Sequence, residues 1–147
     1  MQSMMLSFLG NSRIQSELAI PLFTERVAAG FPSPAQDYVE GALDLNELCI
    51  QHPAATFFVR VHGDSMTDAG IYPNDVLVVD RSITARDGDI VIASLNEEFT
   101  VKELRFKPHP HLMPRNPAYA PIEVSEDSVL EVFGVVTSVV RQLHRAR

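Results

Sequence analysis

Short runs of apolar and β-branched residues, separated by turn signals, make up much of the chain from residue 55 onward. Such runs are typical of β-strands, and they predict strands at Thr56–Val61, Val76–Val79, Ile90–Ala93, Phe99–Leu104 and Leu130–Val140. Turn residues precede the second and third runs, a turn near Asn96-Glu97 links the third run to the fourth, and Gly134 predicts a bend or bulge. The pattern predicts a mostly β domain of barrel or sandwich character.

Residues 1–40 follow a different pattern, in which polar residues are mixed with prolines. Glu17–Ala29 allows one or two helical turns, but Pro21 interrupts them. Two residues within Ala28–Pro34 precede a proline, and that position favours extended backbone. We therefore expect an extended, flexible N-terminal arm before the β domain.

The composition favours a globular protein that does not bind nucleic acid by itself. Apolar residues make up 46% of the 147 residues, enough for a core, and charged residues make up 21%. The formal net charge is −7, whereas binding to a phosphate backbone depends on clustered lysine and arginine. We expect one domain plus an arm, with no direct sequence-specific DNA binding.

Two features of the sequence bear on its location. The single cysteine, Cys49, rules out an intramolecular disulfide and fits a reducing compartment. The apolar stretch within Met1–Gly10 is shorter than the roughly 20 residues of a membrane span, and no basic segment precedes it. We expect a cytoplasmic protein without a signal peptide or membrane anchor.

Ser65 and Lys102 are candidate catalytic residues only as a pair. Ser65 lies in Gly63-Asp64-Ser65-Met66 after the first predicted strand, and Lys102 lies inside the fourth. A serine beside glycine and aspartate is usually a turn residue, and a lysine on a strand is usually a solvated edge charge. The serine also lacks the second glycine of an α/β-hydrolase nucleophile elbow, because Thr67 occupies that position.

Together, the two residues have the chemistry of a nucleophile and its base. A serine hydroxyl needs a base to accept its proton. Lysine acts as that base only when it is neutral, and burial lowers its pKa from about 10.4 because it disfavours the ammonium. Apolar neighbours surround Lys102 in sequence, and Thr100 shares its strand face. The backbone N–H groups of Asp64 and Ser65 are candidate oxyanion donors.

Four segments, in this order and spacing, resemble the LexA/UmuD family of self-cleaving serine–lysine peptidases. They are Gly63–Met66, Asp75–Asp80, Gly88–Val91 and Phe99–Lys102. Ser65 and Lys102 are 37 residues apart, as in the family, and Ala29–Pro34 resembles the self-cleavage segment of UmuD and its plasmid relatives. The resemblance covers about residues 20–141 and implies a compact β domain like those of LexA and signal peptidases.

The resemblance implies a role for each matching residue. Ser65 corresponds to the nucleophile, Lys102 to the general base, and Ala29–Gly30 to the bond that is cut. The cut would separate a removable arm, residues 1–29, from residues 30–147, which hold the rest of the arm and the peptidase domain. Whether the bond is cut within one subunit or between subunits stays open.

The arm is short and poor in basic residues, which disfavours the helix-turn-helix domain of LexA-like repressors and favours the UmuD branch. That branch implies a homodimer in the bacterial cytoplasm that cuts itself on meeting a RecA nucleoprotein filament in the SOS response to DNA damage. It also implies that the shortened form joins a UmuC-like, Y-family polymerase subunit for error-prone translesion synthesis. No cofactor and no metal are expected.

Three other interpretations stay open at this point. His109 and His111, which flank Pro110, are a weak candidate metal site because they lack a cysteine or acidic partner nearby in sequence. The β domain could instead be a non-enzymatic, dimeric polymerase-binding module in which Ser65 and Lys102 are relics. Operator binding by the intact chain would favour a LexA-like transcriptional repressor.

Overall fold

The computed structural model describes residues 6–11, 19–23 and 39–144. The chain divides into two compact units, of which the first combines Met1–Ser12 with His52–Arg147 and the second is Arg13–Gln51. The strands are β1 (Leu6–Asn11), β2 (Ala19–Phe23), β3 (Val39–Asp44), β4 (Thr56–Val61), β5 (Val76–Asp80), β6 (Ile90–Leu95), β7 (Glu98–Arg105), β8 (His111–Met113), β9 (Ile122–Glu123) and β10 (Leu130–Val140). A short helix, α1 (Leu45–Cys49), follows β3.

The first unit contains one eight-stranded sheet in the order β1-β4-β5-β10-β6-β7-β8-β9. Every neighbouring pair of strands in it is antiparallel. The mostly β fold class is confirmed, and the predicted strands are present as β4, β5, β6, β7 and β10. Their valines, isoleucines and leucines supply most of the buried apolar side chains, and the burial of each such side chain stabilises the fold by about 1.5–3 kcal/mol.

Two apolar clusters form the core of this unit and hold the neighbours of the predicted catalytic residues. The first cluster contains Met66 and Val101, both fully buried, together with valines and isoleucines of β4, β5 and β6. The second contains Val91 and Leu104. Close packing of this kind leaves little freedom to the backbone. The loop that carries Ser65 and the middle of β7 are therefore both fixed by the core.

The turn between β6 and β7 confirms the predicted hairpin. Asn96 and Glu97 have φ values of 51° and 72°, and they join the paired residues Leu95 and Glu98. Positive φ at both central residues is the geometry of a tight hairpin turn whose twist matches that of the strands. The hairpin sets the register that places Lys102 opposite Val91.

Gly134 marks the predicted irregularity in β10. The register of β10 against β6 shifts between Val132 and Gly134. A Cβ atom at position 134 would lie 2.7 Å from Val79 Cγ1 and 3.0 Å from the Asp80 carbonyl oxygen. Any larger residue would force the neighbouring β5 to move, so glycine permits the close approach of the two strands.

The N-terminal strands and the two shortest strands, β8 and β9, were not predicted. The helical turns expected over Glu17–Ala29 are wrong at Ala19–Phe23, which forms β2 in a two-stranded sheet with β3. Pro21 lies opposite Ala42 there. A strand with only one neighbour tolerates the missing N–H of proline. The predicted scissile pair Ala29–Gly30 lies outside the described residues.

Across the described ranges, no helix is both long and apolar enough to cross a membrane.

Candidate active site

A tight loop after β4 holds Ser65 in a buried position. β4 ends at Val61, and a short 3₁₀ helix begins at Thr67. Met66 is fully buried in the core, and its carbonyl accepts hydrogen bonds from two N–H groups further along the chain. Ser65 itself is 1% exposed. The sequence therefore builds a serine that is presented from a rigid turn rather than from a solvated loop.

β7 carries the side chain of Lys102 into the interior, where it is 1% exposed. Its Nζ atom lies 3.0 Å from Ser65 Oγ, 2.6 Å from Thr100 Oγ1 and 3.2 Å from the Val101 carbonyl oxygen. Strand alternation explains why Thr100 and Lys102 share a face. The structure thus brings together the predicted serine and lysine, and it places the Thr100 hydroxyl at the amine as expected.

Lys102 is a buried amine whose three hydrogen-bond partners include no carboxylate. Burial lowers the pKa of Lys102 from its ordinary value of 10.5 to about 8, because desolvation disfavours the ammonium. At pH 7 about one molecule in ten therefore carries a neutral amine. In that form Nζ can accept the proton of the Ser65 hydroxyl at the observed distance.

The segment after β8 fixes the serine loop from the other side. The Arg115 N–H donates to the Ser65 carbonyl over 2.8 Å, and the Asp68 N–H donates to the Arg115 carbonyl over 2.8 Å. The Asn116 side-chain amide donates to the Asp64 carbonyl over 2.8 Å. These hydrogen bonds restrain the serine loop on both sides of Ser65.

Arg115 also connects this segment to β7. Its guanidinium forms an ion pair with Glu103, with Nε 2.9 Å from Oε1, and Arg105 reaches the same carboxylate over 3.0 Å. Burial raises the pKa of Glu103, but hydrogen bonds and charge from the two arginines outweigh it and lower the pKa overall. Glu103 directly follows Lys102, so the ion pair joins the strand of the lysine to the segment after β8, which in turn is hydrogen-bonded to the serine loop.

A cavity of about 500 Å³ opens beside Lys102. Asp64, Lys102 and residues 118–122 line it. The Tyr119 hydroxyl donates to the Asp64 carboxylate, and this hydrogen bond raises the pKa of Tyr119, so the tyrosine stays a neutral donor. The cavity is open to solvent and reaches the buried amine.

Of the two predicted oxyanion donors, Asp64 lines the cavity and Ser65 is the next residue in the chain, and the role of their N–H groups stays a prediction. In the hydrogen bonds described above, the carbonyls of Asp64 and Ser65 are the acceptors. An oxyanion hole requires N–H groups about 3 Å from the position of the developing oxyanion. That position depends on a bound peptide.

Sequence patterns did not reveal the residues that support the serine loop. Asn116 gives the only local signal, since its Oδ1 accepts the Ala118 N–H over 2.9 Å, an Asx turn of the kind favoured before Pro117. Glu103 and Arg115 are 12 residues apart on different elements, and no local period links them.

His109 and His111, the weak candidate metal site, have other partners in the described part of the chain. His109 Nε2 contacts the Glu123 carboxylate, and His111 Nδ1 donates to the His109 carbonyl over 2.8 Å. No group of three or more His, Cys, Asp or Glu side chains able to hold a metal ion is found in the part of the chain that the structure describes. His109 links the loop before β8 to Glu123 in β9, and His111, at the start of β8, is hydrogen-bonded back to that loop.

Comparison with known proteins defines the family. The Peptidase S24-like family matches residues 21–137. Protein SamA of Salmonella typhimurium is 54% identical over 122 residues, which are 83% of this chain and 85% of SamA. Protein MucA of Escherichia coli is 50% identical over 129 residues, which are 87% of this chain and 86% of MucA. The LexA repressor of Xylella fastidiosa is 41% identical over 131 residues, which are 61% of the repressor.

The β fold and the family match together define a serine peptidase of the self-cleaving kind. The chain belongs to the Peptidase S24-like family. The resemblance to the LexA/UmuD peptidases is thereby confirmed, and the relatives support a UmuD-type function in the SOS response.

Proposed function

We propose that the chain is a self-cleaving endopeptidase in which Ser65 is the nucleophile, Lys102 the general base and the Ala29–Gly30 bond the substrate. The observation that supports this most strongly is the distance of 3.0 Å between Lys102 Nζ and Ser65 Oγ, in a site where both side chains are 1% exposed. A lysine is rarely buried without a charged partner, and such a group is typical of a catalytic base.

In the first half of the reaction, residues near 27–33 lie extended in the cavity beside Lys102. Ser65 Oγ attacks the carbonyl carbon of Ala29 while Nζ accepts the hydroxyl proton. The N–H groups of Asp64 and Ser65 donate to the oxyanion. The C–N bond then breaks, the protonated lysine returns its proton to the Gly30 amine, and Ala29 stays bound to Ser65 as an ester.

In the second half, the neutral Lys102 accepts a proton from water, and the hydroxide attacks the ester carbonyl. Ser65 leaves with a proton from the lysine, and the arm ends in the carboxylate of Ala29. Thr100 Oγ1, 2.6 Å from Nζ, keeps the amine directed at the serine in both halves. The products are residues 1–29 and residues 30–147, and each chain reacts once because it consumes its own substrate.

A RecA nucleoprotein filament accelerates the reaction by binding the conformation in which the cleavage segment is docked. The filament supplies no catalytic group, because Ser65 and Lys102 are already in contact without it. A partner that prefers one conformation raises its population and so the observed rate. The site therefore needs a signal only to deliver the peptide.

The shortened form acts as a homodimer in the bacterial cytoplasm, as the accessory subunit of a UmuC-like, Y-family error-prone polymerase. The polymerase subunit holds the DNA, because this chain has a net charge of −7 and is poorly suited to bind a phosphate backbone.

Intact-mass spectrometry of the purified chain tests the proposal. We expect the wild-type chain to yield fragments 1–29 and 30–147 on alkaline incubation, and faster at neutral pH with RecA filaments on single-stranded DNA. Ser65→Ala and Lys102→Ala should stay intact under both conditions. Two exposed positions give matched controls, Ser125→Ala and Lys107→Ala, which should cleave like the wild type.

Three results would contradict the proposal. Cleavage by the Ser65→Ala or Lys102→Ala chain would show that the catalytic pair is misassigned. A product mass that corresponds to another bond would remove Ala29–Gly30 as the substrate. A wild-type chain that stays intact with the filament and at alkaline pH would favour a non-enzymatic binding module.

A further inference from the structure

The N-terminal strand β1 lies on the outer edge of β4 and adds side chains to the core. β1 pairs antiparallel with β4, with a bulge after Phe8. Leu6 packs against the first apolar cluster, and Ser7 Oγ is hydrogen-bonded to His62 Nε2. β1 is therefore an integral strand of the main sheet, although it precedes the proposed cleavage site in the chain.

Phe8 completes a cluster of aromatic rings beside this edge. Its ring lies edge-on at 5.4 Å from Phe99 and 5.1 Å from Phe133. Phe133 also contacts Phe57 at 5.4 Å, and the Arg81 guanidinium lies 4.3 Å above the Phe133 ring. Phe8 and Phe99 are still 43% and 42% exposed, so the cluster is only partly covered.

β4 has two strand neighbours among the described residues, β1 and β5. Removal of β1 would leave outer N–H and C=O groups of Thr56–Val61 without strand partners and would uncover Phe99 and Phe133. An edge strand with unpaired backbone groups and apolar side chains is a ready template for another extended chain. The surface under β1 is therefore suited to bind a strand.

Cleavage at Ala29–Gly30, on which this inference rests, would cut the tether that holds β1 in place. A tether raises the effective concentration of a strand at its binding edge, and this advantage ends when the chain is cut. The fragment 1–29 would then be held by β1 on β4 and by β2 on β3. Short strand pairs of this kind are marginally stable alone, so β1 becomes exchangeable.

We propose that self-cleavage turns the β4 edge into a docking site for an extended segment of a partner protein. The segment would add as an antiparallel strand and carry two apolar residues separated by one position, the second of them aromatic. β1 shows what this surface accepts, since Leu6 and Phe8 occupy those positions in the intact chain. In the intact chain β1 occupies the site and blocks the partner.

A peptide-binding experiment that compares the same chain before and after it is cut tests this proposal. A recognition sequence for a site-specific protease is inserted after Ala29 in the Ser65→Ala chain, so that an added protease makes the cut. A fluorescent peptide of residues 4–12 then reports binding by anisotropy. We expect saturable binding to the cut chain that is at least about tenfold tighter than binding to the uncut chain.

Matched variants locate the peptide on the predicted surface. A peptide with Phe8→Ala should bind the cut chain about tenfold more weakly, because it loses the ring contacts. Phe99→Ala in the cut chain should weaken binding similarly. Phe106→Ala is the control, since Phe106 is about as exposed as Phe99 but lies beyond the end of β7.

The outcomes separate this proposal from the proposed peptidase activity, because the cut does not depend on Ser65. Equal binding to cut and uncut chains, or no binding to the cut chain, would overturn the docking site. Equal effects of Phe99→Ala and Phe106→Ala would overturn its location. Self-association of the cut chain that excludes the peptide would make a second copy, rather than a different partner protein, the occupant.

Discussion

The candidate catalytic cleft, which holds Ser65 and Lys102, and the β1 edge, where β1 pairs with β4, depart from the usual distribution of residues in opposite ways. In the cleft, Lys102 is 1% exposed, although lysine is among the least often buried residues. At the edge, Phe8 and Phe99 are more than two-fifths exposed, although phenylalanine is usually buried. Both regions belong to the same unit and share the same sheet.

The difference shows how one fold can serve both the proposed self-cleavage and the proposed docking of a partner segment. In the cleft, desolvation of the Lys102 amine lowers the stability of the fold, and hydrogen bonds hold that amine next to the Ser65 hydroxyl. The edge is held by half-covered rings and a single strand pair, and such a contact can be exchanged. We therefore expect substitutions in the cleft to have large effects on stability or rate, and those at the edge to have small and local effects.

The largest expected effect comes from replacing the buried amine. The pKa of Lys102 is about 8 in the fold against 10.5 ordinarily, so below pH 8 the folded chain holds a charged ammonium in a desolvated position. Stability is reduced there by about 3 kcal/mol and is recovered as the pH rises from 8 to 10.5. Lys102→Met should remove this penalty and raise the free energy of unfolding at pH 7 by up to about 3 kcal/mol.

Urea unfolding at several pH values measures this effect. The difference between Lys102→Met and the wild type should shrink as the pH rises above 8, whereas the exposed control Lys107→Met should show no such trend. A Lys102→Met chain that is less stable than the wild type at pH 7 would mean that the hydrogen bonds of the amine outweigh its desolvation.

A smaller effect, on the rate of self-cleavage, is expected when a residue that supports the serine loop is replaced. Arg115→Ala removes the ion pair with Glu103 while leaving the backbone hydrogen bond to Ser65 possible. The loop should shift slightly, and self-cleavage at high pH should slow by about tenfold. A positioning role predicts that the pH of half-maximal rate stays unchanged, because the environment of the amine is retained.

Arg105→Ala is the matched control for this prediction, because Arg105 also pairs with Glu103 but forms no hydrogen bond to the serine loop. Its cleavage rate should resemble that of the wild type. Equal slowing by the two substitutions would show that only general stability is affected, and a shifted pH of half-maximal rate would assign Arg115 a direct influence on Lys102.

The smallest expected effect is on local stability at the β1 edge of the uncut chain. Phe8→Ala removes two ring contacts from a half-exposed side chain, which should cost about 1 kcal/mol of local stability. Amide hydrogen exchange within Thr56–Val61 should accelerate by about fivefold, whereas Phe106→Ala should leave it unchanged. Unchanged exchange in the Phe8→Ala chain would contradict the view that β1 protects β4.

The sequence predicted the strands of the core but not the short or irregular strands at the edges of the sheet. The strands of the core were visible because each contains a run of β-branched residues bounded by turn signals. β9 has two residues and β8 has three, too few to show a period. In β1 the apolar alternation of Leu6 and Phe8 is interrupted at Leu9 and Gly10, where the bulge lies.

The candidate site likewise contains residues that the sequence predicted and residues that only the structure revealed. Ser65, Lys102 and Thr100 were predicted because nearby residues and strand alternation specify their surroundings. The contacts from Arg115 and Asn116 join distant elements, so only the folded chain brings them to the serine loop. Long-range pairs of this kind leave no periodic trace in a single sequence.

The rate of self-cleavage as a function of pH, without RecA, tests the central claim most directly. It is measured by intact mass from about pH 6 to about pH 10. If Lys102 is the base, the rate should rise about tenfold per pH unit at first and level off above its pKa of about 8. A rate that is flat from about pH 7 to about pH 10 would contradict a lysine base.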